Sequence, residues 1–356
     1  MKSMNEFRRV YVGGVGMVRF MRYEGQEWYD FGSQAILEVL KDAEMEWKDI
    51  QAAFCGSVYQ GTGSGHQAIQ EVGLTGIPVV NVENACSSAA SAFRLAYQSV
   101  AAQIYDVVLA LGFEKMPRGL LPSTAFKPWE LLLGFNIQPA NYGNRISRYM
   151  YEYGATEEDF ARVTVMERKN AAMNPMAIWQ KEVTMEDVLN SRMVAYPLRL
   201  LMIGAMADGA AGAILCSENK LKSSISKEKK IGVAASILAS GVYGEGGGLA
   251  AGVCPEVLPS FIKPPNNSPN DWKESGYGPE DIDVAQIYDT MSPSLLWDLE
   301  ELGFCKPGEA PHLLKEGIFN IGGKIPVNTD GGLMGCGHPL GATAGRQIHE
   351  IVMQLR

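Results

Sequence analysis

The sequence is poor in several features that mark well-known classes of protein. Its six cysteines are scattered without a CxxC pair and it has only four histidines, so neither a disulfide framework nor a zinc site is indicated. The formal net charge is −9 and no basic stripe is present, which argues against a nucleic-acid binder. The start, MKSMNEFRRV, lacks the apolar core of a signal peptide, and no uncharged run reaches membrane-spanning length. We therefore expect a cytoplasmic protein with no bound metal and no membrane partner.

What the chain does have is a globular composition and an order of elements that occurs twice. Of its 356 residues 46% are hydrophobic and 20% charged, and strand-like and helix-like segments alternate, which indicates an α/β fold with partly parallel sheets. MEWKDIQAAFCGSVYQG at 45–61 has the same shape as YGPEDIDVAQIYDTMSP at 277–293. The segment 77–100 likewise parallels 324–355, each running from a Pro-Val strand through small residues into a helix. Two matching halves predict two domains related by a pseudo-twofold axis, with these two helices packed together between two sheets.

The repeat also predicts where the chain divides. We expect an N-terminal half at 1–112 and 196–225, a loop or cap insertion at 113–195, and a C-terminal half at 226–356. The insertion loses the strand rhythm, and a long excursion of this kind is usually functional. The second half stops after its matching helix, so we expect two closing strands to belong to a longer chain than this one.

Cys86 stands between an apolar strand and a helix that opens with very small residues, in PVVNVENACSSAASAFRL at 78–95. A helix N-terminus offers free N–H groups and a positive partial charge, which favour a thiolate over a thiol. The same N–H groups suit an oxyanion that forms when a thiolate attacks a carbonyl. A buried cysteine that only packs is the plain alternative. The junction and the neighbouring serines favour a nucleophile.

His338 is the natural base for such a thiol. In GCGHPLGA the imidazole is bracketed by Gly337 and Pro339, in a rigid turn before a helix. The pseudo-twofold axis would bring this turn towards the Cys86 turn, and a thiolate–imidazole pair would result. The alternative is a histidine that satisfies hydrogen bonds within its own loop.

Four stretches together resemble the thiolase superfamily. They are the Cys86 segment, DGAAGAIL at 208–215, PVNTDGGLMGCGHPLGATAGRQ at 326–347, and AQIYDTMSPSLLWDLEELGFC at 285–305. The last resembles the sterol-carrier-protein-type thiolases, a subgroup that includes bacterial and archaeal enzymes working with a small zinc-ribbon and OB-fold partner. The order and spacing of these motifs cover nearly the whole chain.

The resemblance implies duplicated βαβαβαββ halves in a five-layer αβαβα arrangement, with a loop-domain insertion in the first half and a homodimer core. It implies an acyl-CoA C-acyltransferase that cleaves a 3-oxoacyl-CoA in the degradative direction, with free coenzyme A as co-substrate and no bound cofactor. Cys86 would become the acyl-enzyme, and His338 would take its proton and bind the thioester oxygen of the substrate. The backbone N–H of Cys86 would help to form an oxyanion site.

Two positions depart from the family pattern. Tyr288 stands, before Asp289, where many thiolases have an asparagine that fixes a water in the first oxyanion site, so Tyr288 would donate its own hydroxyl there or simply pack. The usual second, acid/base cysteine would lie on the absent closing strands, and Cys336 is a possible substitute. A tyrosine in this motif also resembles thiolase-like retro-aldolases that act on 3-hydroxyacyl-CoA. A non-catalytic thiolase-like scaffold subunit is a further alternative, but the intact pair of Cys86 and His338 argues against both.

Overall fold

A computed structural model describes residues 7–119, 128–132, 137–222, 230–238 and 271–356. It divides the chain into two compact units: the first consists of Met1–Met116, Met206–Leu238 and His338–Arg356, and the second of Pro117–Ala205 and Ala239–Gly337. The first unit thus contains the last helix of the chain together with the N-terminal segment. The predicted division into an N-terminal half, an insertion and a C-terminal half stays a prediction. Its boundary at 225/226 lies outside the described residues.

The described residues contain twelve α-helices and seven strands. The helices are α1 Trp28–Ala43, α2 Ser64–Gln70, α3 Ser88–Ala101, α4 Pro128–Leu132, α5 Gln138–Tyr153, α6 Glu157–Ala172, α7 Met185–Leu189, α8 Asp271–Ser275, α9 Ser292–Glu301, α10 Ala310–Lys315, α11 Gly332–Cys336 and α12 Thr343–Leu355. The strands are β1 Tyr11–Met17, β2 Ala52–Gly56, β3 Val79–Val82, β4 Val107–Glu114, β5 Met193–Ala195, β6 Leu198–Arg199 and β7 Gly209–Cys216.

A mixed five-stranded sheet organises the first unit, with strand order β1-β7-β4-β2-β3. Strand β2 pairs in parallel with β3 and β4, whereas β7 pairs antiparallel with β1 and β4. Every residue of β4 and β7 is buried, which explains why both strands read as continuous apolar runs in the sequence. The predicted α/β fold with a partly parallel sheet is confirmed.

Strand β4 shows how helices cover both faces of this sheet. Because successive side chains of a strand point to opposite faces, Val107, Leu109 and Leu111 share one core with residues of α1 and α2. Val108 and Ala110 share the other core with residues of α3 and α12. The helices α3 and α12 also contact each other, as the repeat predicted. The second covering sheet does not appear among the described residues, where Ala285 and Val327 form an isolated bridge instead.

Two glycines let chain segments approach the sheet closely at the carboxyl ends of β2 and β4. Gly56 and Gly112 are neighbours in the parallel register of these strands. A Cβ atom at Gly56 would lie 2.6 Å from the backbone carbonyl carbon of Ser88, in the first turn of α3. One at Gly112 would lie 2.3 Å from the backbone oxygen of Gly341 and 2.7 Å from Ala89 Cβ. The first turn of α3 and the turn before α12 therefore rest on this glycine pair.

The second unit has a mainly helical core. Residues of α5, α6, α9 and α10 share one apolar cluster. The Tyr149 hydroxyl donates a 2.7 Å hydrogen bond to Glu300, and the ring of Tyr142 stacks on Trp297 with centroids 6.2 Å apart. Large side chains of the predicted insertion thus build a core.

Substitution of Gly112 tests the close approach. We expect Gly112→Ala to lower the free energy of unfolding by about 1–3 kcal/mol, because the added methyl group overpacks a filled site. Gly232→Ala is the matched control, since its Cβ would meet no atom closer than 3.9 Å, and it should stay within about 0.5 kcal/mol of the wild type. Urea denaturation measures both, and equal stabilities would contradict the packing described.

Candidate active site

Cys86 lies in a tightly bonded turn between β3 and α3. The Asn84 N–H donates to the Ser88 hydroxyl at 2.9 Å, and that hydroxyl donates to the backbone oxygen of Ala85 at 2.7 Å. Ala85 itself has a φ of 45°, a left-handed conformation that a non-glycine residue rarely adopts. Such strain persists where the surroundings enforce it and is typical of functional sites. The turn therefore fixes the backbone immediately before the thiol, as a nucleophile requires.

The five described cysteines are all free thiols, and they differ in their surroundings. Burial raises the pKa of Cys55, Cys216 and Cys305 to about 12, so these thiols stay protonated at neutral pH. Cys86 is only half-buried. The pKa of Tyr59 is raised by burial first and then by the charges of Glu114 and Cys86.

His338 is oriented by the hydroxyl of Thr343. His338 Nδ1 lies 2.7 Å from Thr343 Oγ1, and Oγ1 donates to the backbone oxygen of Pro339 at 2.9 Å. A hydroxyl has a single hydrogen, so both contacts are satisfied when Nδ1 carries the imidazole proton and donates it to Oγ1. This assignment leaves the lone pair on Nε2. Nε2 is then the atom that accepts a proton.

Burial keeps the His338 imidazole neutral. Its side chain is 6% exposed, and desolvation lowers its pKa to about 4. At neutral pH the ring is therefore a neutral base that can take a proton on Nε2 without first losing one.

The Cys86 and His338 turns belong to the same compact unit and meet on the glycine pair of β2 and β4. The buried carboxylate of Glu114, at the end of β4, accepts the N–H of Gly341 at 2.9 Å and therefore holds the second of these turns. The turns that carry the two predicted catalytic residues therefore lie at the same end of these parallel strands, and their catalytic roles stay predictions.

Tyr288 and Cys336 lie in the second unit. The buried carboxylate of Asp289 accepts the N–H of Leu333 at 2.8 Å, so the Tyr288 segment is tied to the start of α11. Cys336 is 1% exposed, and its thiol donates to the backbone oxygen of Asp330 at 3.2 Å. Their roles as an oxyanion or acid/base group stay predictions.

Among the residues that the structure describes, no group of three histidine, cysteine or acidic side chains is arranged to hold a metal ion. None of the helices in that part of the chain is long and apolar enough to span a membrane.

Comparison with known families identifies the chain. A family model described as "Thiolase, N-terminal domain" matches residues 12–125, and "Thiolase C-terminal domain-like" matches residues 266–356. The chain is 35% identical over 355 residues to the benzoylsuccinyl-CoA thiolase subunit BbsB of Thauera aromatica, covering 98% of this chain and 89% of that protein. The chain belongs to the thiolase family.

Other relatives place this thiolase more closely. It is 34% identical over 364 residues to sterol carrier protein 2 of Bos taurus, covering 98% of this chain and 66% of that protein. Among solved structures, the Ltp2-ChsH2(DUF35) aldolase is similar with a TM-score of 0.77 and 28% identity, covering 95% of this chain and 88% of that one. The predicted resemblance to sterol-carrier-protein-type thiolases is confirmed, as are the thiolase fold and the activity class, an acyl-CoA C-acyltransferase.

Sequence reasoning missed three groups that shape this thiolase site. Glu114 gave a signal, because it is the single charge in the buried run VVLALGFE. Thr343 gave none beyond its place in the motif, and the left-handed conformation of Ala85 is invisible in a sequence because alanine does not mark it.

Burial of His338 predicts acid-sensitive stability. The unfolded state binds a proton on this imidazole near pH 6.5 and the folded state only near pH 4, so the wild type loses stability as the pH falls through that window. We expect the free energy of unfolding of wild type to fall by about 2–3 kcal/mol more than that of His338→Gln between pH 7 and pH 4. Chemical denaturation at several pH values measures the difference. Parallel pH curves would show that the imidazole is not held neutral by burial.

Proposed function

We propose that this thiolase cleaves a 3-oxoacyl-CoA with free coenzyme A through an acyl-enzyme on Cys86, in the degradative direction. The observation that carries the proposal is the meeting of the Cys86 and His338 turns on Gly56 and Gly112, with the lone pair of His338 on Nε2. A neutral base on one of these turns and a half-buried thiol at a strand-to-helix junction on the other suit nucleophilic acyl transfer.

The chemistry follows in two steps. His338 Nε2 takes the proton of the Cys86 thiol, and the thiolate attacks the 3-oxo carbonyl, whose oxyanion faces the backbone N–H of Cys86. The bond between C2 and C3 breaks, C2 gains a proton that balances the one removed from the thiol, and a shorter acyl-CoA leaves. The thiol of coenzyme A then attacks the thioester on Cys86, and its proton returns through His338 to the released thiol. Tyr288 and Cys336 remain our candidates for a further oxyanion or acid/base group.

A retro-aldolase acting on a 3-hydroxyacyl-CoA is the second candidate. Two observations favour it: the similar solved structure is an aldolase, and a tyrosine occupies position 288. Against it stands the Cys86 turn, because a reaction without a covalent intermediate has no use for a strained, oriented thiol.

We further propose a cytoplasmic homodimer that works with a small second polypeptide. Two comparisons support a second polypeptide. The Thauera relative is named as a subunit, and the similar solved structure pairs Ltp2 with ChsH2(DUF35). Strand β3 supports the dimer, because it ends the sheet and exposes Val80 and Asn81.

Light scattering tests the dimer. We expect twice the 38.7 kDa of one chain for the wild type, and a shift towards the monomer for Val80→Lys, since a buried lysine would oppose edge pairing. Leu37→Lys is the control, because exposed Leu37 belongs to α1, which packs on β1 and β7 at the end of the strand order opposite β3. A monomeric wild type would contradict the proposal.

Intact-protein mass spectrometry tests the acyl-enzyme. After exposure to 3-oxoacyl-CoAs without free coenzyme A, and with any co-purifying small protein kept in the sample, the wild type should carry an acyl adduct that Cys86→Ala lacks. Added coenzyme A should discharge it, because the second step needs that thiol. Cys55→Ala is the control, since its buried thiol should take up no acyl group.

The same experiment decides against the proposal in either of two ways. Cleavage of a 3-hydroxyacyl-CoA without an adduct, undiminished in Cys86→Ala, would establish the retro-aldolase. Absence of both adduct and cleavage with the co-purified partner present would leave a scaffold subunit.

A further inference from the structure

Glu114 is a buried charge in a place that the two-step mechanism does not use. It is the last residue of β4, follows seven apolar residues, and is 0% exposed. A carboxylate buried in this way is costly unless it is well bonded. Its partners therefore show what the charge is for.

Glu114 joins two loops that are far apart in the sequence. Its Oε1 accepts the N–H of Tyr59 at 3.0 Å, and its Oε2 accepts the N–H of Val58 at 3.0 Å. The same Oε2 accepts the N–H of Gly341 at 2.9 Å. The first two donors belong to the loop after β2, and the third to the turn that carries His338. One carboxylate thus holds both loops at the end of β4.

We propose that Glu114 is a positioning residue, which fixes the His338 turn against the strand ends so that Nε2 faces the Cys86 thiol; this inference rests on the proposed function. Glu114 binds backbone N–H groups of the two loops rather than the Cys86 thiol or the His338 imidazole. It acts through the backbone of Gly341, three residues after His338 and two before Thr343.

The packing around Gly341 leaves the carboxylate little freedom. A Cβ at Gly341 would lie 2.4 Å from the backbone oxygen of Phe113 and 2.8 Å from Glu114 Oε2, so the turn lies directly on the end of β4. Three N–H donors converge on an acceptor-only group, and an apolar residue of the same size would leave all three without it. Burial raises the pKa of Glu114 to about 7 although these donors lower it. The Glu114 carboxylate is retained despite the cost of its burial because it accepts the Gly341 N–H of the His338 turn.

The loop on the other side extends the effect towards the nucleophile. Tyr59, whose N–H Glu114 binds, is the residue whose pKa responds to the charges of Glu114 and Cys86. Loss of the carboxylate would therefore also deprive the N–H groups of Val58 and Tyr59 of their acceptor.

Glu114→Gln is the direct test, because it keeps the shape and replaces one acceptor oxygen with an N–H₂ group that opposes the backbone donors. We expect kcat for 3-oxoacyl-CoA cleavage to fall at least tenfold with KM nearly unchanged. The rate at which iodoacetamide alkylates Cys86, followed by peptide mass, should fall below that of the wild type, as it should in His338→Gln. Glu114→Asp keeps the charge but is one methylene too short to reach all three donors, and it should behave in the same way.

Asp208→Asn is the matched control. Asp208 is also a buried carboxylate of the first unit. It accepts the N–H of Met116 at 2.9 Å and of Tyr23 at 3.0 Å and pairs with Arg22, and none of these described partners belongs to the His338 turn. It should lose thermal stability but keep the alkylation rate of Cys86.

Two results would overturn the inference. In the first, both Glu114→Gln and Glu114→Asp keep the kcat and the Cys86 alkylation rate of the wild type. In the second, both variants lose thermal stability but keep the alkylation rate, which would mean a structural role alone. Failure of the proposed function looks different, because the wild type itself would then form no acyl adduct.

Discussion

The close approach of two turns to the sheet is the constraint on which the site depends. Gly56 and Gly112 lie side by side at the carboxyl ends of parallel strands, and neither leaves room for a side chain. The start of α3 rests on one and the turn before α12 on the other. Ligands and catalytic groups of α/β sheets commonly gather at the carboxyl ends of strands. Here the turns that carry Cys86 and His338 both lie at these strand ends, although the two residues are more than 250 positions apart in the sequence.

Low polarity around this edge sets the state of its titratable groups. Burial lowers the pKa of His338 to about 4 and raises that of Glu114 to about 7, opposite directions with one physical cause. The histidine is therefore neutral and can act as a base. The carboxylate is tolerated because three backbone N–H groups bind it.

Much of this arrangement could be read from the sequence, and the reasons are specific. Strands β4 and β7 are buried on both faces and so appear as unbroken apolar runs. Cys86 and His338 sit in short motifs with a rigid local context. The partners of Glu114 come from two distant loops, and no local pattern predicts such a contact. The second sheet expected from the repeat was not found among the described residues, where the matching segment makes a single bridge.

A crystal structure with an acyl group trapped on Cys86 tests the central claim most directly. The account predicts His338 Nε2 within about 4 Å of Cys86 Sγ, Nδ1 on the Thr343 hydroxyl, and Gly341 bonded to Glu114. A His338 ring that presents Nδ1 to the sulfur, or that lies beyond the reach of a bridging water, would contradict it.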